Sequence, residues 1–130
     1  MPERPILIVE DNQLNMELTT DVLEAAGYQV QQAYSAEDGL TLARIEPPAL
    51  VLMDVSLPGM DGLTATWLLK QDPRLRRIPV IALTAHAMTG DRERMLDSGC
   101  DGYLPKPIDT RTLPQSIEAF LAAARGVSQP

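Results

Sequence analysis

Four apolar runs in this chain each lead into a polar side chain suited to metal or phosphate chemistry. Ile6-Leu7-Ile8-Val9 runs into Glu10-Asp11, Leu50-Val51-Leu52-Met53 into Asp54, and Val80-Ile81-Ala82-Leu83 into Thr84. Tyr103-Leu104 runs through Pro105 into Lys106. If these ends meet, the three carboxylates repel one another and each needs a cation. Lys106 supplies one charge. A hard divalent ion supplies the rest through oxygen ligands, and Mg2+ is normally held by one or two carboxylates plus water and phosphate. No His or Cys cluster competes for a softer metal. A carboxylate nucleophile, a metal, a lysine and a hydroxyl donor together suit phosphoryl transfer to an aspartate. The metal and Lys106 would neutralise the equatorial oxygens, so catalysis is mostly positioning, and an ionised carboxylate attacks without a general base.

The elements that must position these groups follow from the same runs. A short, continuous apolar stretch bounded by turn residues reads as a strand buried on both faces of a parallel sheet. A buried, unpaired Asp54 would be costly, so it is expected where the third strand ends and the sheet opens to water. Asn12 can cap a first helix whose apolar stripe is Leu14, Leu18, Val22 and Ala25, stopped at Gly27. Tyr28 to Ala33 is a weaker strand, placed at an edge. Ser35 caps a short helix through Leu40 and Ala43 that ends before Pro47-Pro48. Asp61 caps a helix over Leu63 to Gln71, and Asp72-Pro73 ends it. A helix between Met88 and Ser98 has only Met88, Met95 and Leu96 to bury and should be among the least stable elements, ending at Gly99. The last helix carries Leu113, Ile117, Phe120, Leu121 and Ala124. Pro114 lies in its first turn, with Thr112 as N-cap and Gln115 completing a capping box. Strand and helix thus alternate five times. That implies an α/β fold: a single doubly wound five-stranded parallel sheet, order 2-1-3-4-5, whose ligands bind beyond the carboxyl ends of the strands.

Composition narrows the classes. At 130 residues one domain is expected, residues 1–125, with a frayed tail over 126–130. The net charge of −7 opposes a nucleic-acid or anionic membrane surface, so Arg74, Arg76 and Arg77 read as a solvated connector. A single cysteine, Cys100, excludes an internal disulfide and points to a reducing, cytoplasmic setting. No apolar run is long enough for a signal-peptide core or a membrane span.

The blocks Val9-Glu10-Asp11-Asn12, Met53-Asp54-Val55-Ser56-Leu57-Pro58-Gly59-Met60-Asp61-Gly62, Leu83-Thr84-Ala85 and Tyr103-Leu104-Pro105-Lys106-Pro107 have a known counterpart. In order and spacing, over about residues 5 to 124, the chain resembles a response-regulator receiver domain of the CheY-like family. It is similar above all to stand-alone cell-cycle-type regulators and to receivers of hybrid histidine kinases. The resemblance implies the flavodoxin/CheY-like fold and a phosphorylation-dependent switch of a two-component system. Asp54 would accept a phosphoryl group from a phosphohistidine on a histidine kinase or histidine phosphotransfer protein. Asp11, Asp54 and the Ser56 backbone carbonyl would bind Mg2+ directly, with Glu10 acting through water, and Lys106 would contact the phosphoryl oxygens. Thr84 would then move to the phosphoryl group and Tyr103 rotate inward, repacking the face of the fourth helix, fifth strand and fifth helix for a downstream protein target. The family also implies a cis Lys106–Pro107 bond, slow autodephosphorylation, and tuning of phosphoryl lifetime by Ser56 and His86.

Three other readings fit these residues less well. An aspartyl phosphatase generally carries a second acid two residues after its nucleophile, where this chain has Ser56. A flavodoxin-like cofactor module needs a hydroxyl- or glycine-rich phosphate loop after strand one, where Glu10-Asp11-Asn12 would repel phosphate. A phosphorylation-independent scaffold leaves the site residues unexplained. His86 reads as a rim residue, Cys100 as a small partly buried one, and Trp67 as packing partly inward. No output domain is visible, so either the chain acts through protein contacts or it is a receiver cut from a longer kinase. The starting methionine favours a stand-alone protein.

Overall fold

In the computed structural model, which describes residues 4–85 and 91–126, strand and helix alternate throughout. The order is β1 (Ile6–Val9), α1 (Gln13–Ala25), β2 (Val30–Ala33), α2 (Ala36–Ile45), β3 (Leu50–Asp54), α3 (Gly62–Gln71), β4 (Val80–Thr84), α4 (Asp91–Ser98), β5 (Gly102–Pro105) and α5 (Leu113–Ala124). The five strands form one parallel sheet in the order β2-β1-β3-β4-β5. The three central strands are the all-apolar runs, and every residue in them is buried. A strand covered by helices on both faces has no solvated side to alternate toward. The two edges fall to the less buried β2 and β5, and Pro105 lies on the outermost strand, where its missing N–H costs no ladder bond.

Successive side chains of each strand enter opposite cores. Leu7, Val9, Val51 and Met53 pack with Leu40 and Ala43 of α2 and Ala65 and Leu69 of α3. Ile6, Ile8, Leu50 and Leu52 pack with Met16 and Leu23 of α1 and Leu113, Ile117 and Leu121 of α5. The third cluster is smaller. Val55, Leu63, Ala82 and Met95 are buried there, with Cys100 and Tyr103 packed against them.

Three helix starts follow their cap residues. Asn12, Ser35 and Asp61 each accept a hydrogen bond from the backbone N–H three residues on, closing α1, α2 and α3. Gly62, the first residue of α3, has no room for a side chain: a Cβ there would overlap the Asp54 carbonyl and Met53. The helix therefore starts directly against the end of β3, and glycine alone allows that approach. Gly27 stops α1 at φ 97°, a left-handed conformation that favours glycine.

Three expectations are corrected. On α1 the inward face is Met16, Thr19, Thr20 and Leu23, whereas Leu14 and Leu18 are 73% and 49% exposed. Both stripes fit the helical period, and the angle at which α1 meets the sheet chooses between them. Of the apolar residues expected on α4, Met95 turns inward and Leu96 is exposed, while Met88 lies outside the described residues. Thr112 makes no side-chain cap to α5. Its hydroxyl instead donates to the Asp109 carbonyl, and its helical backbone (φ −107°, ψ −9°) leaves it poorly placed for the capping box. Among the described residues no helix is long and apolar enough to cross a membrane.

The α1 correction has a measurable consequence. Leu23→Ala should cost about 2–4 kcal/mol in guanidinium unfolding, the usual penalty for a cavity at a fully buried leucine. Leu14→Ala should stay within about 0.5 kcal/mol, as exposed substitutions generally do.

Candidate functional site

Parallel register brings the polar strand ends to one rim. Val9 pairs with Met53, so Glu10 and Asp54 leave neighbouring strands at the same height. Asp54 pairs with Leu83, so Thr84 stands one residue further along the next strand. Thr84 in turn pairs with Pro105, which delivers Lys106 to the same edge, with the Lys106 N–H bonded to the Thr84 carbonyl at 2.9 Å.

The side chains meet there. Lys106 Nζ lies 2.8 Å from Asp54 Oδ2 and 3.5 Å from Glu10 Oε1. The other Asp54 oxygen, Oδ1, accepts the Ser56 N–H at 2.9 Å, and Glu10 Oε2 accepts the Asn12 N–H at 3.1 Å. Asp11 is exposed, but carboxylate oxygens of Glu10, Asp11 and Asp54 all lie within 4.8 Å of one another. Asp54 itself is only 1% exposed. It does end the third strand as expected, but buried rather than open to water, and an ammonium within bonding distance makes that tolerable.

The electrostatics record the crowding. Burial, and then the hydrogen bond with Asp54, pushes Glu10 up from 4.5 to about 7. Burial alone would pull the Lys106 ammonium down, but the hydrogen bond and charge of Asp54, reinforced by Glu10, hold it above the usual lysine value. One lysine thus faces three acids. The donors are oxygens only, which suits a hard divalent ion of the Mg2+ class, and no histidine or cysteine belongs to the cluster among the described residues.

The other residues singled out in the sequence divide. Thr84 is buried at the rim. Ser56 follows Asp54 in the loop and is exposed, with its N–H turned to the Asp54 carboxylate. Tyr103 lies two rungs back from Thr84, opposite Ala82, half-buried against the third cluster and apart from the carboxylates. The Lys106–Pro107 bond is cis. Cys100 is partly buried, and that burial pushes its thiol up, away from reactivity. Trp67 is half-exposed on α3. His86 lies outside the described residues.

Reading the sequence alone misses a cleft of about 310 Å³ beside the carboxylates, lined by Glu10, Lys106, Leu18, Thr19, Pro107 and Ile108. The one available signal was that α1 carries two competing apolar stripes.

Comparison with known proteins gives a consistent result. The response regulator receiver domain family matches residues 6–118. The polar-differentiation response regulator DivK of Brucella ovis is 46% identical over 121 residues, covering 93% of this chain and 98% of that protein. The receiver domain of sensor histidine kinase PA1611 from Pseudomonas aeruginosa PAO1 superposes with a TM-score of 0.85 at 34% identity, over 93% of this chain and 99% of that one. Its structure holds a magnesium ion coordinated in the active site cleft. A CheY-like receiver domain protein from Methanospirillum hungatei JF-1 gives a TM-score of 0.87 at 29% identity, over 96% and 98% of the two chains.

The raised Glu10 carboxyl fixes the sign of a pH effect. Between 4.5 and about 7 the metal-free folded chain holds a proton that the unfolded chain has lost. The resulting stability is complete below the lower value and is lost as pH rises through the upper one. Thermal unfolding in chelator should show Tm contributions falling across that window. Glu10→Gln should flatten the fall, and saturating Mg2+ should restore stability at its neutral end.

Proposed function

This chain belongs to the response regulator receiver domain family, and from that footing we propose that it is a phosphorylation-dependent switch of a two-component system with Asp54 as phosphoacceptor. Receiver domains are signalling switches rather than turnover enzymes. The observation that carries the assignment is the buried Asp54 carboxylate, held at one oxygen by the Ser56 N–H and at the other by Lys106, inside a three-acid cluster.

The proposed step is an in-line transfer. An Asp54 oxygen attacks the phosphorus of a phosphohistidine on a histidine kinase or histidine phosphotransfer protein. The new O–P bond forms as the P–N bond breaks, and the electron pair leaves with the imidazole nitrogen, which takes a proton from solvent. Glu10, Asp11, Asp54 and the Ser56 backbone carbonyl would hold Mg2+, Glu10 through water; when bound, the ion neutralises charge on the transferring oxygens. Lys106 already lies against Asp54 and follows the phosphoryl group as its charge develops. The Thr84 hydroxyl, one residue beyond the rung of Asp54, then turns to a phosphoryl oxygen. The space it leaves admits Tyr103, and the face of α4, β5 and α5 repacks for a downstream protein target. The small third cluster, to which α4 contributes Met95 as its one buried apolar side chain among the described residues, supports α4 as the element that yields. Leu14 and Leu18, exposed beside the site, offer the phosphodonor protein an apolar footing.

In this reading residues 1–125 are the receiver domain and the setting is cytoplasmic. The phosphoryl group is lost slowly without help, and neither nucleic acid nor membrane is a direct partner.

Acetyl phosphate with Mg2+, or a phosphorylated histidine kinase domain, should add one PO3 group to the intact chain by mass spectrometry. Asp54→Asn should abolish the addition. Lys106→Ala should slow it by about 10²-fold, the scale for losing one charge-stabilising donor. An unmodified wild-type chain, or one labelled equally after Asp54→Asn, would rule out the assignment.

A further inference from the structure

The opposite rim of the sheet carries the inverse charge pattern. Arg4 precedes β1, Arg74 and Arg77 lie in the connector before β4, and Arg125 follows α5. These distant segments line one cavity of about 550 Å³, floored by Ile78 and Leu121. A second groove of about 380 Å³ continues from it, sharing Arg77 and Pro79 and adding Arg76 and Phe120. Five of the chain's eleven cations therefore line one continuous depression on a protein of net charge −7.

Arg74 is paired with Asp72 at 3.5 Å. Arg4, Arg77 and Arg125 make no ion pair among the described residues. Asp101, the acid lining the second groove, is occupied by Lys70 at 2.7 Å and by the Val80 N–H at 2.8 Å. Among the residues lining the first cavity there is no carboxylate to answer these guanidinium groups.

We propose that this depression is a nucleotide site, with the phosphates held by Arg4, Arg77 and Arg125 and the base lying along the groove toward Phe120. Its size falls in the range of small-molecule sites. Planar guanidinium forks match phosphate oxygens two at a time. An aromatic ring and a proline beside the anion site offer a base the flat apolar surface on which it stacks. The site stands at the amino ends of the strands, away from the carboxylate rim at their carboxyl ends, so the two can be tested apart.

The test is an NMR titration of the full chain, uniformly ¹⁵N-labelled, with ADP and with inorganic pyrophosphate. Chelator keeps the carboxylate rim free of metal. ADP should shift the amides of Ile78, Val80, Ala124 and Arg125 with a dissociation constant of roughly 1 mM or tighter, and pyrophosphate should bind the same place more weakly. Arg77→Gln with Arg125→Gln should weaken ADP at least about tenfold, leaving Tm and phosphorylation of Asp54 unchanged. Four results would overturn the proposal: no shifts, shifts centred on Glu10 and Asp54, undiminished binding by the double variant, or pyrophosphate binding as well as ADP. Tighter binding of a glutamate-rich peptide than of ADP would also overturn it, by making the depression a protein-docking surface.

Discussion

The contact between Lys106 and Asp54 is the constraint around which the rest is arranged. Asp54 ends a strand covered on both faces, and its carboxylate is almost wholly removed from water. A bare charge in such a place costs several kcal/mol, far more than one side chain's packing returns. Lys106, 2.8 Å away, offsets that cost, but only if the loop after β5 is held at the rim. The backbone bond from the Lys106 N–H to the Thr84 carbonyl does this, tying the lysine to the strand beside the aspartate. One edge strand with few apolar residues is thus anchored partly by the charge it delivers.

The same pair leaves the site short of positive charge. Glu10, Asp11 and Asp54 converge beside a lysine that pairs with two of them, and Glu10, pushed up first by burial and then by Asp54, holds its proton to about neutrality. An arrangement built for stability alone would have dispersed these acids. Here they are assembled by parallel register, each at the end of a strand whose interior is apolar. A divalent ion held there would offset the crowding of the three acids and so be linked to stability.

Packing around the sheet is uneven. The two main cores clamp α1, α2, α3 and α5 to the sheet through many large side chains. In the third cluster the apolar contribution of α4 among the described residues is Met95, with Tyr103 at the margin. Local stability follows packing, so α4 and the margin where Tyr103 lies are the more thinly held part of the described fold. The acidic rim and the arginine-lined depression occupy opposite ends of the strands, so the molecule is electrically polar along the strand direction although its net charge is simply negative.

Much of this is written in the one-dimensional pattern. Apolar runs of four or five residues mark the buried strands, because a parallel strand has no polar face to show. Asn12, Ser35 and Asp61 mark helix starts, because a short oxygen-bearing side chain closes the first turn locally. The carboxylates and Lys106 are legible as a site because each ends such a run. Three things are not local. The inward face of α1 depends on the angle at which the helix meets the sheet, so Leu14 and Leu18 read as core although Met16 and Leu23 are. The burial of Asp54 is permitted only by a lysine that arrives through the fold. The gathering of Arg4, Arg77 and Arg125 needs the segments before β1 and after α5 to meet the β4 connector. Propensity and capping act within a few residues and so belong to the sequence. Facing, burial and charge convergence depend on which distant segments share a surface, and only the packed chain decides that.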